Sequence, residues 1–132
     1  LKKYSPINEL SQFSSEYAEA LFDTLHAPVL ICDRDEVISL AGVSKKDYLE
    51  RQISRMLEDT IEKRTPVFVT ESSTVEFING IEVSVASYCL CPIIANGDPI
   101  GIVVLFSEDE PLGEGEQKAA QTAASFLGKQ ME

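Results

Sequence analysis

Residues 87–107, SYCLCPIIANGDPIGIVVLFS, constrain the fold of this chain more than any other stretch. Two apolar runs, 88–94 and 100–106, flank Ala95-Asn96-Gly97-Asp98-Pro99. Asn-Gly supplies the positive φ angles of a tight reversal, and Pro99, lacking an N–H, interrupts ladder pairing beside it. Side chains alternate faces along a strand, so a strand with one wet face is apolar only at every second residue. Both runs here are apolar at consecutive residues, so both faces of the hairpin must be covered. The pattern predicts two central strands with helices above and below them.

The rest of the chain supplies those helices. Ser5-Pro6 reads as a helix start, Ser as cap and Pro at the first helical position. Ile7, Leu10, Phe13, Tyr17, Leu21 and Leu25 follow at spacings of three and four. Ala18, Ala20 and Phe22 widen the apolar arc to roughly half the circumference, enough for a sheet and a partner helix. Ala27-Pro28 closes this helix; Val29–Cys32 is a buried strand, Asp33-Arg34-Asp35-Glu36 a turn, and 37–40 the returning strand. Gly42 ends that strand, Ser44 caps a helix carrying Tyr48 and Leu49, and Ser54 is a second cap before Met56, Leu57 and Ile61. Thr65-Pro66 stops it. Val67-Phe68-Val69 is apolar without a decisive period, 74–78 is a strand ending at Asn79-Gly80, and 81–86 reads as strand or loop. After the hairpin, Glu108-Asp109-Glu110-Pro111 forms a solvated link to a last helix from about Gly113 to Met131. Glu114 and Glu116 suit its positive end, and Ala119, Ala120, Ala123, Ala124, Phe126, Leu127 and Met131 form its apolar side.

Helix, two strands, helices, three strands and a helix make an α+β domain, an antiparallel sheet between two helical layers. At 132 residues the chain suits one domain. Its net charge of −11, from 22 acidic and 11 basic residues, repels a phosphate backbone, so this part is not expected to bind nucleic acid. No apolar run approaches the ~20 residues of a membrane span. Three cysteines, an odd number inside apolar strand patterns, fit a reducing cytoplasm.

Few residues suggest chemistry. Cys89 and Cys91 are two apart on a strand and share a face, yet no second Cys or His pair stands at ligand spacing, so core packing is the better reading. His26, the one histidine, sits at a helix end, where a cap or surface role outweighs catalysis. Ser44-Lys45-Lys46 reads as a solvated cap before it reads as a phosphate site, and the acidic stretch 108–116 as a solvated loop before a cation site. One histidine and three buried thiols assemble no nucleophile–base pair, so no catalytic residue, metal site or cofactor is assigned.

LKKYSPINEL at the start, VLICDRD, residues 42–49, PIIANGDPIG and the final amphipathic helix together resemble a GAF domain, the sensor module related to the PAS fold. Within that fold they are most similar to the regulatory domains of AbrB-like sporulation regulators. The resemblance implies a GAF/PAS-like antiparallel sheet with the terminal helices on one face and the middle helices on the other. It makes 1–4 the end of an upstream AbrB-like DNA-binding domain or a linker, consistent with a start at Leu1 and not Met, and 5–132 a single GAF domain. The implied function is small-molecule sensing and oligomerisation in a regulator that activates or represses forespore genes from the cytoplasm. DNA would be contacted only through the other domain, and no membrane is involved. Two alternatives are a redox enzyme of the free methionine sulfoxide reductase type and a scaffold that only oligomerises. The cyclic-nucleotide signature begins with Asn-Lys, whereas Asn8, Asn79 and Asn96 precede Glu, Gly and Gly.

Two sets of site residues follow. An unknown small-molecule ligand is expected between the sheet and residues 42–61, against Met56, Leu57, Phe77, Cys89 and Cys91. A homo-oligomer is expected through the terminal helices, at Ile7, Leu10, Phe13, Tyr17, Leu21, Phe126 and Leu127.

Overall fold

A computed structural model describes residues 11–132. The helix start expected at Ser5-Pro6, the interface positions Ile7 and Leu10, and the boundary at 1–4 lie outside the described residues. Helix α1 (Ser11–Leu25) leads into strands β1 (Val29–Cys32) and β2 (Val37–Ala41), then the short α2 (Lys45–Tyr48) and α3 (Arg55–Lys63). Strands β3 (Val67–Val69), β4 (Ser73–Ile78), β5 (Ile81–Val85), β6 (Ser87–Ala95) and β7 (Asp98–Ser107) precede α4 (Glu114–Gln130).

The expected central hairpin is β6–β7. Asn96 and Gly97 both take positive φ, 52° and 81°, as a two-residue hairpin turn of this twist requires. Pro99 falls opposite Ile94 where the ladder skips a residue, so its missing N–H coincides with a bulge. The main sheet has five antiparallel strands in the order β2-β1-β7-β6-β3, which puts β7 at its centre. Alternate residues of β1, β6 and β7 enter two separate cores. Ile31, Cys89, Cys91, Ile93, Val103 and Leu105 face α1 and α4, while Leu30, Cys32, Leu90, Ile102, Val104 and Phe106 face the middle layer. Consecutive apolarity in the sequence is therefore two alternating patterns superimposed.

The single sheet expected from sequence is in fact two. β4 and β5 form their own two-stranded ribbon over the middle face, attached through a bridge between Ile53 and Ile78. The undecided run Val67-Phe68-Val69 is the edge strand beside β6, and 81–85 is strand. Their weak sequence signal has a physical cause: β3 is three residues long, and in β5 only Val85 is fully buried, Ile81 and Val83 being half-buried. Ser54 caps α3 as expected, its Oγ accepting from the Leu57 N–H at 3.4 Å.

On the other face α1 lies mainly over β2 and α4 over β6 and β7. Gly128 allows α4 to descend fully, because a Cβ there would collide with the Ile94 carbonyl of β6. Alanine is the better helix former by about 1 kcal/mol, but neither backbone can yield. Gly128→Ala is accordingly expected to lower the unfolding free energy by about 1–3 kcal/mol in urea denaturation. An unchanged or raised midpoint would show that the helix stands further off the sheet.

Candidate functional site

The middle layer holds three of the five residues expected at a ligand site. Phe77, on β4, is fully buried, its ring 5.4 Å from Tyr88 at 75° and 5.3 Å from Phe106 at 36°. Leu57 is fully buried beside it and Met56 half-buried. Cys89 and Cys91 are not here. Tyr88 and Leu90 face the middle layer, so the strand period of two sends both cysteines beneath the terminal helices. The five residues therefore do not line one cavity. Tyr88 and Phe106, missed as partners of Phe77, were accessible from the same alternation once one residue of β6 had been assigned a face.

The thiols are chemically quiet. Burial pushes the Cys91 thiol up to about 12 and the Cys89 thiol up to about 11, with Cys89 adding to the first and Glu116 to the second. Cys32 is raised further, by burial and then by Asp33. All three are neutral near pH 7, whereas attack on a substrate requires a thiolate. Among the described residues no group of three His, Cys, Asp or Glu gathers to hold a metal. His26 is exposed at the end of α1, with φ 57° and its N–H on the Phe22 carbonyl at 2.7 Å. Ser44 makes no side-chain cap bond, although it precedes α2. In the acidic stretch Glu116 has a local task, accepting the Gly113 N–H at 2.7 Å and closing the start of α4.

The outer surface of the terminal helices is different in character. Phe13 and Phe126 are each 38% exposed and stack on one another with centroids 5.6 Å apart, and Tyr17 packs against Phe126 at the same distance. Leu21 and Leu127, expected at the same interface, point inward and are buried against the sheet. The reason is helical phase: Leu127 follows Phe126 by one residue, a turn of about 100°.

A cleft of about 370 Å³ opens where α4 overhangs the lower half of β6. It exists because β3 pairs only with 88–90 of β6, leaving 91–95 without a strand neighbour on that side. Cys91, Pro92, Ile94 and Ala124 are among its lining residues, together with Arg64 and Lys129. The sequence reading missed it, since these residues come from three distant segments.

The family model described as "Stage V sporulation protein T C-terminal, transcription factor" matches residues 9–132. Stage V sporulation protein T of Bacillus subtilis (strain 168) is 55% identical over all of this chain and 74% of its own length. The chain belongs to this family. It is a GAF-fold regulatory domain of sporulation transcription factors, in agreement with the resemblance noted from the residues. Among solved structures, the GAF domain of a phosphoenolpyruvate-protein phosphotransferase from Coxiella burnetii matches 90% of this chain and 80% of its own with a TM-score of 0.72 at 19% identity. The type II free methionine-R-sulfoxide reductase of Thermoplasma acidophilum matches 92% and 94% with a TM-score of 0.65 at 15% identity. At such identities these two likenesses are of fold. No helix among the described residues is long and apolar enough to cross a membrane.

Proposed function

We propose that this stage V sporulation protein T family domain is a non-catalytic sensing and assembly module. Its terminal helices pair with those of a second copy, and a small molecule held by the domain biases that pairing. DNA is contacted by a separate AbrB-like domain of the same regulator, which activates or represses genes in the forespore cytoplasm. The observation that carries the assembly half is the exposed Phe13–Phe126–Tyr17 cluster. Two large apolar rings at one spot on a surface carrying a net −11 are better covered than hydrated. Leu21 and Leu127 then brace the helices on the sheet while the rings meet the partner. The same net charge supports leaving DNA to another domain. The reductase alternative loses support from the thiols, each buried and raised above its ordinary value by that burial.

Sedimentation velocity of the wild type against Phe13→Glu and Phe126→Glu tests this reading. The wild type is expected to associate at tens of micromolar and both variants to sediment as monomers with unchanged circular dichroism. A monomeric wild type, or folded variants that associate as before, would overturn it.

A further inference from the structure

We propose that the cleft between α4 and the lower half of β6 binds a small organic anion, a carboxylate on a short apolar body. This deepens the sensing half of the proposed function and does not depend on the assembly half. In a chain with 22 acidic and 11 basic residues, cations that converge without carboxylate partners are a departure from the background. Arg64, the residue that ends α3, and Lys129, in the last turn of α4, both line the cleft, and neither is ion-paired among the described residues. Among the described residues the one carboxylate on the wall, Glu132, accepts the Asn96 N–H at 3.0 Å and is held against the β6–β7 turn.

Both cations also stand at helix C-termini, where their ordinary role would be to offset the terminal carbonyls. The backbone already satisfies two of the terminal carbonyls of each helix. Arg64 N–H reaches the Thr60 and Ile61 carbonyls, each at 3.2 Å, and the N–H groups of Met131 and Glu132 reach Gly128 and Lys129 at 3.1 and 3.2 Å. Among the described residues neither the guanidinium nor the ammonium has an ion-pair partner, so both can face a ligand. A planar guanidinium matches a carboxylate with two parallel hydrogen bonds, and Lys129 adds a point charge. Cys91, Pro92, Ile94 and Ala124 are the cleft's apolar lining residues along the open edge of β6, with Ser125 and Gln121 as neutral polar groups. About 370 Å³ lies at the small end of the roughly 300–1,000 Å³ of ligand sites. A second cleft, of about 270 Å³ beside α3, makes the contrast: there Arg34 is paired with Glu62, and Glu58 and Asp59 stand beside Arg55, so it carries no surplus positive charge.

The test is a titration of the isotope-labelled chain with sodium benzoate, followed through amide chemical shifts. Benzamide serves as the neutral counterpart and inorganic phosphate as the anion without an apolar body. Benzoate is expected to give saturable shifts at Ile94, Ser125 and Lys129 in the millimolar range, with benzamide and phosphate each binding several-fold more weakly. Lys129→Glu and Arg64→Glu should each weaken benzoate about tenfold, and Arg34→Glu, at the other cleft, should not. The readout is local, so it reports on the cleft whether or not the chains associate. Absence of saturable shifts, equal binding of benzamide, equal binding of phosphate, or shifts clustered away from α4 and β6 would each overturn the proposal.

Discussion

Phe77→Ala is expected to lower the unfolding free energy by about 3–5 kcal/mol, the range for removing a buried phenyl ring. Its ring is wedged between Tyr88 and Phe106 and has no access to solvent. The space it leaves is bounded on one side by the five-stranded sheet, which cannot collapse inward without moving its own other face. On the other side lies the β4–β5 ribbon, tied down by the Phe77 carbonyl accepting from Ser54 N–H at 2.8 Å and by Asn79 N–H on the Gln52 carbonyl at 3.0 Å. Relaxation is therefore limited, and the loss belongs at the upper part of the range. A domain of ordinary stability, about 5–15 kcal/mol, would be brought close to its threshold. Phe68→Ala provides the control, since Phe68 is 37% exposed on the edge strand. Denaturant titration should separate the two variants clearly; a Phe77→Ala midpoint equal to that of Phe68→Ala would mean that the layer closes over the gap.

The second large effect is alkaline destabilisation. Each cysteine has an ordinary value of 9.0 and a raised value in the folded chain, about 11 for Cys89 and about 12 for Cys91, with Cys32 higher still. Above pH 9 the unfolded chain releases thiol protons that the folded chain keeps. The folded state then binds more protons, so stability falls as pH rises; the contribution is complete below 9.0 and fades through the raised values. At about pH 10 each thiol has removed on the order of 1 kcal/mol, and the three together a few kcal/mol, relative to pH 8. Tyr17, Tyr48 and Tyr88 are also raised by burial, from 10.0, and add the same sign only at higher pH. Urea titrations under reductant at the two pH values check this. The Cys89→Ala, Cys91→Ala double variant should retain only about a third of the drop, and a wild type with equal stability at both would contradict the burial of the thiols.

How legible the molecule was in its sequence depended on how far apart the cooperating residues lie. The hairpin, its Asn96-Gly97 turn, the strand end at Gly42 and the Ser54 cap are local signals, and all appear where the residues placed them. The separation of β4–β5 into its own ribbon was not visible, because the period of a strand does not say which strand it pairs with. The split of Met56, Leu57 and Phe77 from Cys89 and Cys91 had a similar origin. Where residues 88–95 of β6 are all apolar, the sequence carries no mark of which alternate set faces which layer. Leu21 and Leu127 were grouped with Phe13 and Phe126 because a wide apolar arc does not separate its inward half from its outward half. The α4–β6 cleft needed Arg64, Pro92 and Lys129 at once, and no local pattern joins them.

The doubly covered hairpin also sets an order of opening. Leu90 and Val104 are sealed by the middle layer, and Cys91 and Val103, their neighbours, by the terminal helices. Detaching either helical layer leaves every second side chain of β6 and β7 still packed, and the ladder between them intact. Their amides should therefore be the last to exchange with deuterium, at a rate set by global unfolding. The two helical layers can fray separately and at lower cost. A regulator built this way can loosen one face while the strands keep the other in register.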